Sequence, residues 1–178
     1  SYEMAYHIAM FIEGELLNGT ADKVEGLSTL TNKLQLTSAS AITSDDLVDL
    51  QAKVKDVFQD NAIWIMSTAT RTAIRSLKDE MGRYLLNPDI TSEFGYKLLG
   101  KPVYVSDNMP EIGAGNTVIY YGDMKGLATK FSEDINIEVL REKYADQHAV
   151  GVVGWLEFDS KVENAQMISR LVMGTTTA

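Results

Sequence analysis

The sequence has no cysteine, two histidines and three prolines, and each scarcity removes a class of chemistry. Without cysteine there is no disulfide, no thiolate metal site and no thiol nucleophile, so stability has to come from packing and from neighbours. His7 and His148 stand near opposite ends of the chain, whereas a histidine metal site needs three or four ligands at suitable spacing. No Gly-x-Ser-x-Gly elbow is present to carry a serine nucleophile. Positive charge is also short: 16 Lys and Arg against 25 Asp and Glu leave a net charge of -9. Gripping phosphates requires clustered cations, so sequence-specific nucleic-acid binding is not expected. No apolar run approaches the roughly 20 residues that span a bilayer, and Ser1 to Ala9 lacks the basic-then-apolar order of a signal peptide. No membrane association, cofactor or metal is expected.

What is present is 178 residues at 45% hydrophobic content, long enough for one substantial core or two lobes. The first residue is Ser and an apolar periodicity is already running at Ala5, which predicts that the chain begins inside a longer protein. Ala5, Ile8, Ala9, Ile12 and Leu16 share one helical face, so Tyr2 to Leu17 reads as an amphipathic helix closed by Asn18-Gly19. Thr20 to Ser40 reads as a surface loop with one short strand. Thr43-x-x-Asp46 is a capping arrangement for a second helix with Leu47, Leu50, Val54 and Val57 inward, and Asp49 and Lys53 are spaced to pair on its surface. Asp45 and Asp46 there suit the helix dipole better than acid-base chemistry.

Asn61 to Met66, with Ile63-Trp64-Ile65, predicts a short strand covered on both faces. Ser67 should cap a third helix, with Ala73, Ile74 and Leu77 inward and Gly82 at its end. Asn87-Pro88-Asp89 marks a turn opening an exposed loop to Gly95. Strands are expected at Pro102 to Ser106, Thr117 to Tyr121, Leu127 to Phe131 and around Ile135, Ile137 and Val139, the last pairing with Ala149 to Phe158 across a polar tip, Arg141 to His148. Ile112-Gly113-Ala114-Gly115-Asn116 reads as a turn between strands, because neither a third glycine opening a helix nor Gly-Lys-Ser/Thr follows. The segment Asn164 to Met173 fits helix or strand, and Thr175 to Ala178 a frayed end. Scattered aromatics such as Trp64, Tyr84, Tyr104, Tyr120, Tyr121 and Trp155 suit core packing. Three helices among about seven strands, without βαβ alternation, make a mixed α+β protein.

Several stretches, in order, carry a resemblance. They are Leu17-Asn18-Gly19 with Glu25-Gly26-Leu27, then Asn61 through Met66 on to Lys78-Asp79 and Gly82-Arg83-Tyr84-Leu85. Leu98-Leu99-Gly100-Lys101-Pro102-Val103, Ser106-Asp107-Asn108-Met109-Pro110 and Tyr121-Gly122-Asp123 follow. Together they resemble the major capsid proteins of tailed phages with the Hong Kong 97 fold.

That resemblance implies an α+β capsid fold: a peripheral domain at 1–20 and 122–158, made of a long spine helix and a long β-hairpin, and an axial domain at 21–121 and 159–178. It also implies that the arm and extended loop, which in the family precede the spine helix and wrap neighbours, are missing from these 178 residues. The function implied is that of a non-enzymatic shell subunit, assembling with itself as pentamers and hexamers around double-stranded DNA. Portal and scaffold or protease are the implied partners, and the virion, with the host cytoplasm during assembly, the implied location. The loop holding Asn87, Asp89 and Glu93 would face the capsomer axis. Arg141, Glu142, Lys143 and Asp146 at the hairpin tip would make salt bridges between subunits, against the plainer reading of a solvated turn. An encapsulin-like compartment shell is the runner-up. A small hydrolase or ligand-binding domain assembled from distant residues is a third reading, and a deep pocket with converging polar groups would favour it.

Overall fold

The computed structural model describes residues 2–20, 25–92, 94–131, 136–140, 151–155 and 157–175. Helix α1, Tyr2–Asn18, ends where predicted: Gly19 takes φ +70° and its N–H reaches the Glu15 carbonyl at 2.8 Å. Gly26 lies against that helix end, where a Cβ would sit 2.8 Å from the Glu15 carbonyl oxygen. The two glycine motifs therefore touch, and the close backbone approach admits no side chain at Gly26.

The centre is a seven-stranded mixed sheet in the order β1-β11-β6-β2-β5-β4-β3. Its strands are β1 Lys33–Gln35, β2 Ile63–Met66, β3 Leu86–Pro88, β4 Tyr96–Leu98, β5 Lys101–Val105, β6 Thr117–Gly122 and β11 Ile168–Val172. The C-terminal segment is thus a strand. It is paired antiparallel to β6 and parallel to β1.

On one face of the sheet Trp64, Met66, Tyr121 and Leu171 pack against Leu47, Leu50 and Ile74; on the other, Ile65, Tyr120 and Ile168 meet Leu17, Leu27, Leu30 and Met109. Alternate residues of β2 feed opposite cores, which is why Ile-Trp-Ile-Met carries no polar residue. Trp64 donates its indole N–H to the Leu98 carbonyl at 2.9 Å, and its ring centroid lies 4.4 Å from that of Tyr121. Leu99 (φ +48°) and Gly100 (φ +81°) form the two-residue hairpin turn from β4 to β5. Left-handed backbone at both positions is what the twist of paired strands demands, and it accounts for Gly100 in that motif.

Helix α2, Ser44–Ala52, carries the predicted capping box in full: Asp46 N–H donates to Thr43 Oγ1 and Thr43 N–H to the Asp46 carboxylate. It stops at Ala52 because Gln59 donates its side-chain amide to the carbonyls of Gln51 (3.0 Å) and Val54 (2.8 Å), turning the chain back. That turn breaks the helical spacing. Val54 is buried, but Val57 is 74% exposed rather than inward, and the expected Asp49–Lys53 pair is not among the ion pairs of the described residues.

Helix α3, Thr68–Ile74, is capped by Ser67 as expected but ends well before Gly82. Asp79 takes over there, accepting from the N–H groups of Met81 and Arg83 at 2.9 Å each and pairing with the Arg83 guanidinium. Gly82 belongs to this turn, and Ala73 faces solvent. The stretch read as a surface loop, Thr20 to Ser40, holds β1 as expected but also buries Leu27, Leu30 and Leu36. Its polar composition concealed leucines that complete both cores. Gly113 to Asn116 forms the expected turn, with Asn116 N–H on the Gly113 carbonyl.

Two further ladders stand apart from the main sheet. β7 Leu127–Phe131 pairs antiparallel with β10 Phe158–Val162, and β8 Asn136–Leu140 with β9 Gly151–Trp155. The expected single partner from Ala149 to Phe158 is divided between β9 and β10, and Phe158 pairs with Phe131.

Candidate self-association surface

Among the described residues no group of acidic or histidine side chains is arranged to hold a metal, and no helix is long and apolar enough to cross a membrane. Two concavities lie among the described residues. A surface groove of about 550 Å³ is lined by Thr72, Arg75, Ser76, Tyr84, Leu86 and Pro88. A smaller one of about 220 Å³ lies between Ser40, Ile42, Ala73 and Ile112. Neither brings together a nucleophile, a base and an oxyanion donor, the minimum for hydrolysis.

The unusual surface is on α1. Ala5 and Ala9, expected inward, are exposed, as are Tyr2 (86%), Tyr6 (52%) and Phe11 (62%). Only Leu17 is fully buried. The helix docks instead through the face of Met10, Glu13, Gly14 and Leu17, spaced at three and four residues, and most of that attachment is polar. Tyr104 Oη donates to Glu13 Oε2 at 2.9 Å, and the Ser106 hydroxyl donates to Glu13 Oε1. The Asn108 amide donates to the Met10 carbonyl at 3.1 Å and to Glu13 Oε1 at 3.4 Å. Asn18 donates to the Asn108 carbonyl, and Tyr120 Oη to the Leu17 carbonyl at 3.1 Å. Burial first, then the adjacent Glu13 carboxylate, raises the Tyr104 phenol above its ordinary range.

The motif Ser106-Asp107-Asn108-Met109-Pro110 is therefore the cradle of the helix, with Met109 buried in the core beneath it. The family resemblance singled out this motif but carried no sign that Glu13 was its partner. An aromatic step leads on to the hairpin: the Phe11 and Phe158 rings meet edge to face at 6.4 Å, and Phe158 lies 6.1 Å from Phe131, itself 52% exposed.

A second exposed feature is the loop between β3 and β4. Asp89 accepts from Thr91 N–H at 2.8 Å and Thr91 Oγ1 at 2.6 Å and pairs with Lys97 Nζ at 3.0 Å, which together hold its pKa down at about 2. Asn87 is exposed in β3, its amide turned back to the carbonyls of Tyr84 and Leu85. The polar groups shape the loop, and among its described residues Ile90 is fully exposed, which composition did not single out. Phe94 packs edge-on against Tyr104 at 5.0 Å between ring centroids. Glu93, Arg141, Glu142, Lys143 and Asp146 lie outside the described residues.

The family model described as the phage capsid family matches residues 1–173. Among solved structures the chain is similar to the capsid of an empty GTA particle, with TM-score 0.80 and 22% identity, covering 97% of this chain and 64% of that one. It is also similar to a chain from Gordonia phage Cozz, with TM-score 0.63, 16% identity and coverage of 98% and 62%. A third similar structure is the holo-SrpI encapsulin complex from Synechococcus elongatus PCC 7942, with TM-score 0.63, 17% identity and coverage of 99% and 65%. The chain thus spans less than two thirds of the length of these structural relatives. No curated protein sequence matches.

Proposed function

This chain belongs to the phage capsid family, and from that premise we propose that it is the shell-building part of a major capsid protein, a structural subunit that self-assembles into the icosahedral head around double-stranded DNA. The observation that carries the reading is the contrast between a complete core and an uncovered α1, whose Tyr2, Tyr6 and Phe11 are exposed on a helix held mainly by polar contacts. An isolated monomer gains nothing from presenting such a face to water, whereas a shell subunit buries it against neighbours. The net charge of -9 agrees with this: an acidic wall repels packaged DNA and leaves it free to move in and out.

The two-domain division follows as part of the proposal, with α1 and the hairpin (1–20, 122–158) peripheral and the sheet (21–121, 159–178) axial. The β7–β10 ladder continues past the second boundary to Val162. The loop with Asn87, Asp89 and Glu93 would meet its copies around a pentamer or hexamer axis, and Arg141, Glu142, Lys143 and Asp146 would bridge capsomers. Portal and scaffold or protease are the proposed partners, with assembly in the host cytoplasm and the virion as destination. A compartment shell is the second reading, favoured by the encapsulin likeness.

Expression of the complete gene product followed by electron microscopy tests the proposal. Closed icosahedral shells are expected. A product that stays monomeric by light scattering at high concentration, with no capsomers or shells, overturns it. Particles from the native source that hold a protein cargo instead of DNA decide for the compartment.

A further inference from the structure

We propose that Glu13 is a positioning residue for assembly: by gathering Tyr104, Ser106 and Asn108 onto one carboxylate, it sets the angle of α1 on the sheet and so the curvature at which subunits meet. The inference rests on the shell reading above and adds to it the element that fixes subunit shape.

The geometry of attachment supports it. From Tyr2 to Ala9 the helix is mostly exposed, while Met10 to Leu17 is docked. The docked half has Leu17 as its single fully buried side chain, so the fixing force is directional hydrogen bonding rather than apolar packing, which would tolerate sliding. Glu13 sits within the docked half, about one turn from the free arm. The arm from Met10 to Tyr2 is about 12 Å long, so a tilt of about 10° carries its tip about 2 Å.

The carboxylate is held from the sheet side by a rigid frame. Ser106 is buried, its own N–H is bonded to the Met66 carbonyl at 2.9 Å, and its hydroxyl also accepts from Asn108 N–H at 3.2 Å. Central strand β2 is therefore two hydrogen bonds from Glu13. Gly14, one residue on, lets the Asn108 side chain approach: a Cβ there would lie 3.2 Å from its Oδ1. Tyr104 carries the connection further, since its ring packs on Phe94 in the β3–β4 loop. One side chain thus relates the exposed helix to the exposed loop, the two surfaces assigned to neighbours.

The test uses Glu13→Gln, Glu13→Asp, Tyr104→Phe and Ser106→Ala with two measurements. In the 178-residue chain, amide exchange of residues 10–18 is expected to quicken by about tenfold or more for Glu13→Gln, as loss of charge-assisted hydrogen bonds predicts, while strands β2 and β6 exchange as in wild type. In the complete gene product, Glu13→Gln and Tyr104→Phe are expected to convert uniform closed shells into open sheets, tubes or shells of mixed diameter at unchanged folded yield. Glu13→Asp should restore closure in part. Tyr104→Phe keeps the ring on Phe94 and removes only the hydroxyl, so it decides the matter if a Glu13 variant does not fold. Wild-type exchange in all variants, or uniform shells of wild-type diameter, overturns the proposal. If wild type itself builds no shell, the shell reading falls, and the exchange measurement alone decides whether Glu13 holds the helix.

Discussion

The central sheet and helix α1 solve the same problem in opposite ways. In the sheet, β2, β6 and β11 are covered on both faces, and Trp64, Tyr121 and Leu171 are almost wholly removed from water. On α1 Tyr2, Tyr6 and Phe11 remain wet, and the helix is held by a carboxylate, three hydroxyls and two amides. A buried apolar core stabilises the subunit alone, while an uncovered aromatic face on a directional mount gains stability only when another surface arrives. The difference separates what folds the subunit from what joins it to others.

That division can be broken from either side. The largest expected effect is in the core. Trp64→Ala removes a buried ring and its hydrogen bond to Leu98, and should cost about 3–5 kcal/mol in urea unfolding; a loss under about 1 kcal/mol would mean the sheet is not the stabilising unit. Next is the joining surface. Tyr2→Ser with Tyr6→Ser should change the chain's unfolding free energy by no more than about 0.5 kcal/mol, as exposed positions do, yet reduce shell yield several-fold. Equal yield by sedimentation would show that this face is not covered in the particle.

A smaller effect is expected at Thr43→Ala, which removes half of the α2 capping box and should cost about 1 kcal/mol. Thr43→Ser should recover most of it. The smallest effect is local and set by pH. Asp89 has a folded pKa of about 2, below the ordinary value of about 3.9. Its stabilisation of the β3–β4 turn is therefore fully present above that ordinary value and is lost as pH falls through about 2. An NMR titration should find Asp89 ionised at pH 3 in wild type and moved back toward about 4 in Thr91→Ala. An unmoved midpoint would remove Thr91 as the leading cause.

The local rules written in short spans were legible. Thr43 with Asp46, Ser67 with Thr70, Asn18-Gly19 and the apolar run Ile63 to Met66 each declared their element because the deciding contacts lie within four residues. Where the deciding partner was distant, sequence spacing misled. Val57 continued the apparent stripe of α2 until Gln59 folded back on the helix end. Leu27 and Leu30 looked like loop residues because the sheet they pack on is built from strands far along the chain. On α1 the periodicity correctly gave a helix and a wrong inward face.

The candidate surface shows the same boundary. Asn87 and Asp89 were picked out as polar residues of an exposed loop, and the structure finds both bonding within their own hairpin, with Ile90 left fully exposed. By itself the sequence determined most element types, the caps and, through ordered motifs, the family. Tertiary structure alone decided which side of α1 meets the sheet, because that choice turns on Glu13 finding Tyr104, Ser106 and Asn108 more than 90 residues away. Backbone propensity acts over a few residues, whereas a carboxylate is satisfied by whichever donors the finished fold brings to it.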